Sequence, residues 1–241
     1  MSEFREHEIE WTREKAARFW RVVVKKISDR DYFSNAVGRS VILEAARRGA
    51  KLDGRILDYG CGPGHLLNHL VQHTKTVEGA DFDDAALTEV RRRLESHPSF
   101  RGVTLISDLP SGLPANAYDT VFFVETIEHL IGDDLPRTLV ELHRLVRPGG
   151  CVVVTTPNNE NLDRSKRCCP ECGCVFHLVQ HVSSWTAETL SGAMEEVGFN
   201  TVHCQPITFR RDHQLQAVRA VADWVRKKAP QSLLYVGRKL T

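Results

Sequence analysis

The sequence predicts an α/β fold built around a mostly parallel, seven-stranded sheet with helices on both faces. From residue 55 onward, short β-branched runs alternate with helical segments, and this alternation is typical of parallel strands joined by crossover helices. The 241 residues are 41% hydrophobic and 26% charged, as in an ordinary globular domain. We therefore expect a single domain with one sheet at its centre.

The first fifty residues are predicted to be helical. Apolar residues in 11–27 recur at helical spacing with arginines and lysines between them, which indicates an amphipathic helix. A second helical stretch, "GRSVILEAARRGA", ends near Gly49. Residues 1–50 are therefore interpreted as an N-terminal helical segment, and residues 51–241 as the main domain.

The main domain is predicted to contain seven strands and five helices. The strands are "RILDY", "TVEGAD", "GVTLI", "DTVFFV", "CVVVTT", "TVHCQPITF" and "SLLYVGR", and the helices span about 65–73, 83–96, 133–147, 186–197 and 213–228. Because the last two strands lie close together in the sequence, we expect one of them to run antiparallel at the sheet edge. Residues 157–184 lack periodicity, and loops of this length are usually functional.

Composition and charge argue against several classes of protein. No apolar run approaches the roughly 18 residues of a membrane-spanning helix, and the first residues, "MSEFREHEIEW", lack the apolar stretch of a signal peptide. We therefore expect a cytoplasmic protein without a membrane partner, in which the seven cysteines are thiols, thiolates or metal ligands. A formal net charge of +1 gives no global field that would attract nucleic acid.

A glycine loop and a later acid predict a nucleoside cofactor. In "ILDYGCGPGHLL" an apolar strand breaks into Gly60, Gly62 and Gly64, which allow a ligand to approach the backbone at the start of a helix. The next strand ends at Asp81, where a carboxylate can accept both ribose hydroxyls. The alternative is a tight turn followed by a helix cap. The G-x-G-x-G spacing and Pro63 disfavour a dinucleotide such as NAD.

These residues resemble the class I S-adenosylmethionine-dependent methyltransferases from about residue 40 to the C-terminus. The resemblance rests on "LDYGCGPG", "GADFD", "SDLP", "YDTVFFVETIEHL", "VRPGG", "VVVTTPN" and "GF", in that order. It implies a Rossmann-like fold and S-adenosylmethionine as cofactor. It also implies roles along the bound cofactor, which run from the methionine part (Asp58, Gly60, Gly62, Gly64) through the ribose (Asp81) and adenine (Phe82, Asp108, Leu109) to the sulfonium (Glu125).

The segment "ETIEHL" follows an apolar strand and predicts either a cation site or a set of internal hydrogen bonds. Glu125, Glu128 and His129 emerge at the carboxyl edge of the sheet, and two carboxylates with an imidazole can bind a hard divalent cation. "TTPNNEN" and a histidine four residues before a tryptophan in "HVSSW" resemble metal-dependent small-RNA 2′-O-methyltransferases, and more distantly ubiquinone-biosynthesis O-methyltransferases. This second resemblance implies Mg²⁺ or Mn²⁺ bound by Glu125, Glu128, His129 and His181.

The segment "CCPECG" contains a Cys-x-x-Cys pair in the form of a zinc knuckle. Cys169 and Cys172 are the expected pair, and the candidates for the other two zinc ligands are Cys168, Cys174, His177 and His181. Reduced thiols without metal and an iron–sulfur cluster remain alternatives. We expect the cysteine-rich insertion to shape the loop that carries His181 to the active site.

The leading functional interpretation is methyl transfer to oxygen in a small molecule or glycan intermediate. A cation would align the acceptor and lower the pKa of its hydroxyl. Without one, His129 or His181 would act as general base. The alternatives are a metal-independent N- or C-methyltransferase, and a zinc-knuckle module that holds RNA or protein on a vestigial cofactor fold. RNA is the less favoured partner, because residues 1–50 more readily form a helical cover over the substrate pocket than an RNA-binding domain. No oligomeric state is predicted.

Overall fold

A seven-stranded sheet forms the centre of the protein in the computed structural model, which describes residues 4–23, 32–211 and 231–241. The order of its strands is β4-β3-β2-β5-β6-β10-β9, and a smaller sheet has the order β1-β8-β7. In chain order the strands are β1 (His7–Glu8), β2 (Arg55–Tyr59), β3 (Thr76–Asp81), β4 (Phe100–Leu105), β5 (Tyr118–Val124), β6 (Val146–Pro157), β7 (Lys166–Cys168), β8 (Cys174–His177), β9 (Phe199–Ile207) and β10 (Ser232–Lys239).

The seven predicted strands all lie in the large sheet, and the mostly parallel arrangement is confirmed. Strands β2 to β6 run parallel to one another, whereas β10 is antiparallel to both of its neighbours, β6 and β9. The antiparallel strand therefore lies one position inside the edge, and the prediction that it forms the edge is wrong. The run Ser232–Gly237 is buried throughout, as in a strand covered on both faces, while the more polar β9 forms the edge.

Helices cover both faces of the sheet, as predicted. They are α1 (Arg13–Val23), α2 (Phe33–Arg47), α3 (His65–His73), α4 (Asp84–Leu94), α5 (Asp134–Leu145) and α6 (Ala187–Glu196). The predicted helix at 213–228 and residues 24–27 of the first predicted helix lie outside the described residues. No helix in the described parts of the chain is long and apolar enough to cross a membrane.

Strand β5 shows how the two faces are built. Its side chains alternate, so that Phe122 and Val124 pack with α2, α3 and α4, while Val121 and Phe123 pack with α5 and α6. All four side chains are buried, and those of Val121, Phe122 and Phe123 are fully so. The strand is therefore an apolar run that ends abruptly at the polar segment beginning with Glu125.

The cysteine-rich loop is partly structured. A 3₁₀ turn (Leu162–Ser165) precedes the antiparallel pair β7 and β8, and β1 from the N-terminal segment adds to β8 in parallel. These strands are two to four residues long, too short to produce a visible period in the sequence. The N-terminal segment and the cysteine-rich loop thus form one small sheet beside the main domain.

Candidate active site

A cavity of about 490 Å³ opens at the carboxyl ends of the parallel strands. Segments that follow β2, β3, β4 and β5 form its floor, while α1, the start of α2 and the loop containing His181 form its walls. In open α/β sheets ligands bind at this edge. Seven of the predicted cofactor-binding residues line it: Gly60, Gly62, Asp81, Phe82, Asp108, Leu109 and Glu125.

The glycine loop adopts a backbone that side chains would disfavour. Gly60 has φ +77°, and a Cβ there would lie 2.8 Å from the Thr126 side chain. Gly62 has φ +49°, and a Cβ there would meet nothing within 4 Å, so the loop faces open space in the cavity. An uncovered backbone of this kind allows a ligand to approach closely, which fits the cofactor that the sequence implies.

Asp81 braces this loop. Its carboxylate accepts hydrogen bonds from the backbone N–H groups of Gly62 (2.7 Å) and Asp83 (2.9 Å). The residue that caps α4 is Asp83, whose side chain accepts from Ala85. Burial raises the pKa of Asp81, and the backbone donors partly oppose that shift. The carboxylate thus stands at the cavity wall with its orientation fixed by the loop.

Asp58 and Gly64 lie behind the loop and do not line the cavity. Asp58 is 2% exposed, and among the residues described its Oδ2 has no hydrogen-bond partner. Burial, with a contribution from the charge of Asp81, raises the pKa of Asp58 to about 8. Gly64 has φ +77° at the start of α3. Both residues support the loop from the protein side.

The segment that follows β4 is held by a residue that the sequence analysis missed. Asp108 accepts a hydrogen bond from the N–H of Leu109 at 2.7 Å, and these interactions with Leu109 and then Arg137 lower its pKa. Arg137 of α5 also donates to the carbonyl of Leu109 at 2.6 Å. Phe82 projects nearby and is 58% exposed. No motif pointed to Arg137, because its role depends on how α5 packs.

The two predicted glutamates are held by neighbouring threonines of β6. Glu125 accepts a hydrogen bond from Thr155 (2.8 Å), and Glu128 accepts one from Thr156 (3.0 Å). Glu125 has φ +47°, a left-handed conformation that is uncommon for non-glycine residues and is enriched at active sites. Burial raises the pKa of Glu125 to about 7 and that of Glu128 well above its ordinary value.

Three of the four predicted cation ligands converge. The donor atoms of Glu128, His129 and His181 lie within 4.8 Å of one another, and Glu128 Oε1 lies 4.0 Å from His181 Nε2. Glu128 is 1% exposed, and its Oε1 has no hydrogen-bond partner in the described part of the chain. A buried carboxylate oxygen of this kind, facing two imidazoles, fits a divalent cation. Glu125 lies at the same cavity but outside this convergent group.

His129 is fixed as a neutral ring. Its Nδ1 donates to the carbonyl oxygen of Gln180 at 3.3 Å, and the Gln180 side chain donates back to the carbonyl of His129 at 3.1 Å. Burial lowers the pKa of His129 to about 3, with a smaller contribution from His181. The Trp20 ring meets His129 edge-on at 5.0 Å and donates its Nε1–H to Gln180. Neither Trp20 nor Gln180 carries a sequence signal for this role.

A second group consists of Glu160, His177 and His181, whose donor atoms also lie within 4.8 Å. Glu160 lies inside "TTPNNEN", and no sequence pattern predicts a role for it. His177 was a candidate zinc ligand, yet its ring stacks on His181 at 4.7 Å and its two nitrogens face Glu160 and backbone amides. The structure thus places His177 beside the predicted cation site.

The cysteines of the insertion lie close together. The N–H of Cys169 donates to the carbonyl of Cys174, and backbone N–H groups of Cys172 and Glu171 lower the pKa of the Cys169 thiol. Cys168 is exposed, and Cys169, Cys172 and Cys174 are half-buried. Within residues 4–23, 32–211 and 231–241, no three cysteine sulfurs lie within 4.8 Å of one another. The zinc site stays a prediction.

Comparison with known proteins decides the family. A methyltransferase domain family matches residues 29–204, which is most of the chain. The chain is a class I methyltransferase family member. S-adenosylmethionine is the cofactor that this methyltransferase family implies, in agreement with the open glycine loop.

Two relatives show how far the likeness extends. A probable S-adenosylmethionine-dependent methyltransferase of Mycolicibacterium smegmatis is 34% identical over 103 residues, which cover 43% of this methyltransferase and 38% of the relative. A ubiquinone biosynthesis O-methyltransferase of Pseudomonas aeruginosa is 34% identical over 107 residues, which cover 43% and 44% of the two chains. The match spans less than half the length of either relative.

A solved structure supports the fold of the methyltransferase. The 1,6-didemethyltoxoflavin-N1-methyltransferase of Burkholderia thailandensis, solved with 1,6-didemethyltoxoflavin and S-adenosylhomocysteine, aligns with a TM-score of 0.65 at 16% identity. The alignment covers 98% of this chain and 94% of that chain. At this identity the likeness shows the fold alone.

Proposed function

We propose that this methyltransferase transfers the methyl group of S-adenosylmethionine to an oxygen of a small molecule or glycan intermediate, with the help of Mg²⁺ or Mn²⁺. The main support is the convergence of Glu128, His129 and His181 around a buried carboxylate oxygen that has no hydrogen-bond partner among the described residues. S-adenosylmethionine supplies a methyl group on a sulfonium. As the acceptor oxygen bonds to the methyl carbon, the carbon–sulfur bond breaks and its electron pair stays on sulfur, which gives S-adenosylhomocysteine. The proton of the acceptor hydroxyl passes to solvent.

The cofactor would lie along the sheet edge. The backbone of Gly60 and Gly62 would hold the methionine part, and Asp81 would accept the ribose hydroxyls. Phe82 would cover one face of the adenine, while Asp108 and Leu109 would meet its edge. Glu125 would then stand beside the sulfonium, at the entry to the cation site. Asp58 and Gly64 would act indirectly, by shaping the loop from behind.

The cation would be held by Glu128, His129 and His181, with Glu125 as the fourth predicted ligand. It would bind acceptor oxygens and lower the pKa of the acceptor hydroxyl. Two imidazoles favour Mn²⁺ over Mg²⁺, because Mg²⁺ prefers an all-oxygen set. Thr155 and Thr156 fix the carboxylates, so that the protein presents the site with little rearrangement.

The acceptor would enter beneath the N-terminal segment. Trp20, Tyr32 and Phe33 line the cavity, which supports the proposal that residues 1–50 form a cover over the substrate pocket. Apolar rings beside a cation favour an acceptor with a small apolar body and two adjacent oxygens. A catechol and a cis-diol sugar are the corresponding probes.

We also propose that Cys169 and Cys172 bind a structural zinc ion, with Cys168 and Cys174 as the remaining ligands. The lowered pKa of the Cys169 thiol favours the thiolate that zinc requires. The Nδ1 of His177 accepts backbone N–H groups and its Nε2 lies 3.5 Å from Glu160 Oε1, so the cysteines are the better candidates.

The first experiment tests the cation and His181 together. Protein stripped with a chelator is expected to form no S-adenosylhomocysteine from S-adenosylmethionine and a catechol, and added Mn²⁺ is expected to restore turnover. His181→Ala is expected to lower turnover by about 10² or more. Its affinity for S-adenosylhomocysteine, measured by calorimetry, should stay within about twofold of the original, because His181 is not among the proposed cofactor-binding residues.

His97→Ala is the matched control, since His97 does not line the cavity. Turnover on the catechol that survives both the chelator and His181→Ala would mean that the cation is not required, and turnover on an amine acceptor alone would support the metal-independent N-methyltransferase. Failure to bind S-adenosylhomocysteine at all would favour the binding-module alternative.

A further inference from the structure

We propose that Glu160 is a positioning residue for the cation site: it holds the His181 ring so that Nε2 faces Glu128 and His129. This inference rests on the proposed function, because it assigns an outer layer to the same site. Glu160 lies outside the glutamate-and-histidine motif, 21 residues before His181 in the chain. The surrounding donors and acceptors impose the hydrogen positions on the two histidines.

His177 lies beside one carboxylate oxygen of Glu160, and its backbone contacts determine where its ring hydrogen lies. The Nδ1 of His177 accepts backbone N–H groups from His181 (3.1 Å) and Val179 (3.4 Å). A neutral imidazole that accepts at Nδ1 carries its hydrogen on Nε2. That Nε2 lies 3.5 Å from Glu160 Oε1, close enough for an electrostatic attraction between the N–H and the carboxylate but without a hydrogen bond.

His181 contacts the other carboxylate oxygen of Glu160. Its Nδ1 lies 2.5 Å from Glu160 Oε2. An ionised carboxylate only accepts hydrogen bonds, so the hydrogen of His181 must lie on Nδ1. The lone pair of a neutral His181 is then on Nε2, which lies 4.0 Å from the unpaired Glu128 Oε1. The hydrogen bond from His181 is also the main cause of the lowered pKa of Glu160.

The backbone fixes this arrangement. Asn158 pairs with Trp185, and the N–H of Asn159 donates to the carbonyl of Trp185 at 2.8 Å, which ties the segment carrying Glu160 to the segment carrying His181. The rings of His177 and His181 lie nearly parallel, with an interplanar angle of 15°. Ring rotation at His181 is therefore opposed by a carboxylate, a stacked ring and the local chain path.

The pattern is that of an outer carboxylate supporting a metal-binding histidine. In such pairs the carboxylate fixes the tautomer and raises the basicity of the ligand nitrogen, and its loss costs about 10- to 100-fold in metal affinity. His129 is arranged in the same way, with its Nδ1 donating to the carbonyl of Gln180. Both histidines therefore carry their ring hydrogen on Nδ1, which leaves the lone pair on Nε2 for a cation.

Glu160, His177 and His181 are also close enough to hold an ion themselves. The hydrogen on His177 Nε2 argues against that use, because a protonated ring nitrogen cannot bind a metal. The two arrangements predict different stoichiometries: one ion at the inner group if Glu160 positions His181, and an additional ion if the outer group is itself a site.

The experiment uses the full chain and two readouts. Nitrogen NMR of the histidine rings, without metal, is expected to show the hydrogen of His181 on Nδ1, with His181→Ala identifying its signals. Calorimetry with Mn²⁺ is expected to show a 10- to 100-fold loss of affinity in Glu160→Ala. Glu160→Gln keeps an accepting oxygen and should lose less. Glu188→Gln, an exposed carboxylate in the first turn of α6, is the matched control.

Three results would overturn the proposal. The first is a hydrogen on Nε2 of His181 in the unmutated protein, since that tautomer leaves Glu160 without its donor. The second is an Mn²⁺ affinity of Glu160→Ala equal to that of Glu188→Gln. Loss of a second equivalent of Mn²⁺ in Glu160→Ala, with the first retained, would assign an ion to the outer group instead.

A double mutant separates this inference from the proposed function. Adding Glu160→Ala to His181→Ala is expected to cause no further loss of Mn²⁺ affinity, because the carboxylate acts through His181. If the original protein binds no Mn²⁺, the proposed cation fails, and the NMR readout still decides whether Glu160 fixes the ring.

Discussion

At the residue scale, the site depends on buried carboxyl groups with few partners. Asp58 and Glu128 each have a side-chain oxygen with no hydrogen-bond partner in the described ranges, and both are at most 2% exposed. Burial of this kind destabilises the ionised form. The two groups differ in surroundings: Glu128 faces two imidazoles, whereas Asp58 faces the back of the glycine loop.

We expect Asp58→Asn to change the pH dependence of stability. The pKa of Asp58 is raised to about 8 in the folded protein, so its protonated form favours folding at low pH, and this contribution is lost as the pH rises toward 8. The variant should gain relative stability by up to about 1.4 kcal/mol per pH unit between pH 5 and 8. Urea unfolding across this range measures it.

Asp84→Asn is the control for this change, since Asp84 is an exposed residue of α4. Parallel curves for Asp58→Asn and the original protein would contradict the raised pKa.

The sequence predicted the inner residues of the site better than the outer ones. Glu128, His129 and His181 could be found because a glutamate-histidine motif and a downstream histidine can be read directly from the chain. Glu160 and Gln180 could not, since their roles arise from hydrogen bonds between loops that only the folded backbone brings together. His177 was predicted from its spacing to the cysteines, yet its ring turns toward His181.

At the element scale, α1 and the loop containing Gln180 meet over the predicted cation site. The Trp20 Nε1–H donates to Gln180 Oε1 at 2.9 Å, and Gln180 is 1% exposed. Phe19 of the same helix meets Phe176 of β8 edge-on at 6.5 Å. The helix therefore packs against the segment that fixes His129.

We expect Trp20→Phe to destabilise the protein by about 1–3 kcal/mol, because it leaves a buried amide oxygen without its donor. Guanidinium unfolding measures this loss. Trp11→Phe is the matched control, because it is the same substitution at a tryptophan that lies just before α1 and packs edge-on against Phe19. Equal losses in the two variants would mean that the bond to Gln180 contributes nothing.

Strands and helices with long sequence patterns were predicted well. Strands whose existence or position depends on pairing with distant segments were predicted poorly. The parallel strands β2 to β6 follow from apolar runs between helical segments. The place of β10 inside the sheet was missed, although its uninterrupted burial from Ser232 to Gly237 has a sequence counterpart in "LLYVG". The short strands β1, β7 and β8 depend on contacts between distant segments, which local periodicity does not encode.

At the scale of the whole molecule, the cysteine-rich insertion connects the N-terminal segment with the loop that carries His181. Its β8 pairs with β1 of the N-terminal segment, and the chain then continues through His177 to His181. Lys166 of β7 also forms an ion pair with Glu8 of β1. The fold of the insertion therefore affects both the proposed cover and the predicted cation site.

We expect the purified protein to contain about one zinc ion per chain, and Cys169→Ser with Cys172→Ser to lose it, because zinc requires the thiolates. Elemental analysis measures the zinc. The double variant should also be cleaved faster by protease between β7 and β8, since metal no longer closes that turn. Cys204→Ser, a half-buried thiol in β9, is the control. Unchanged zinc in the double variant would exclude these ligands.

The parallel pairing of β1 with β8 has a consequence for shortened forms of the protein. The N–H of His7 donates to the carbonyl of Gly173, and that of Ile9 to the carbonyl of Val175, so β1 occupies one side of β8. Removing the first ten residues would leave those acceptors unpaired along an exposed strand edge of β8. Unpaired edges of this kind can pair with strands from other molecules, and truncated preparations would therefore tend to self-associate.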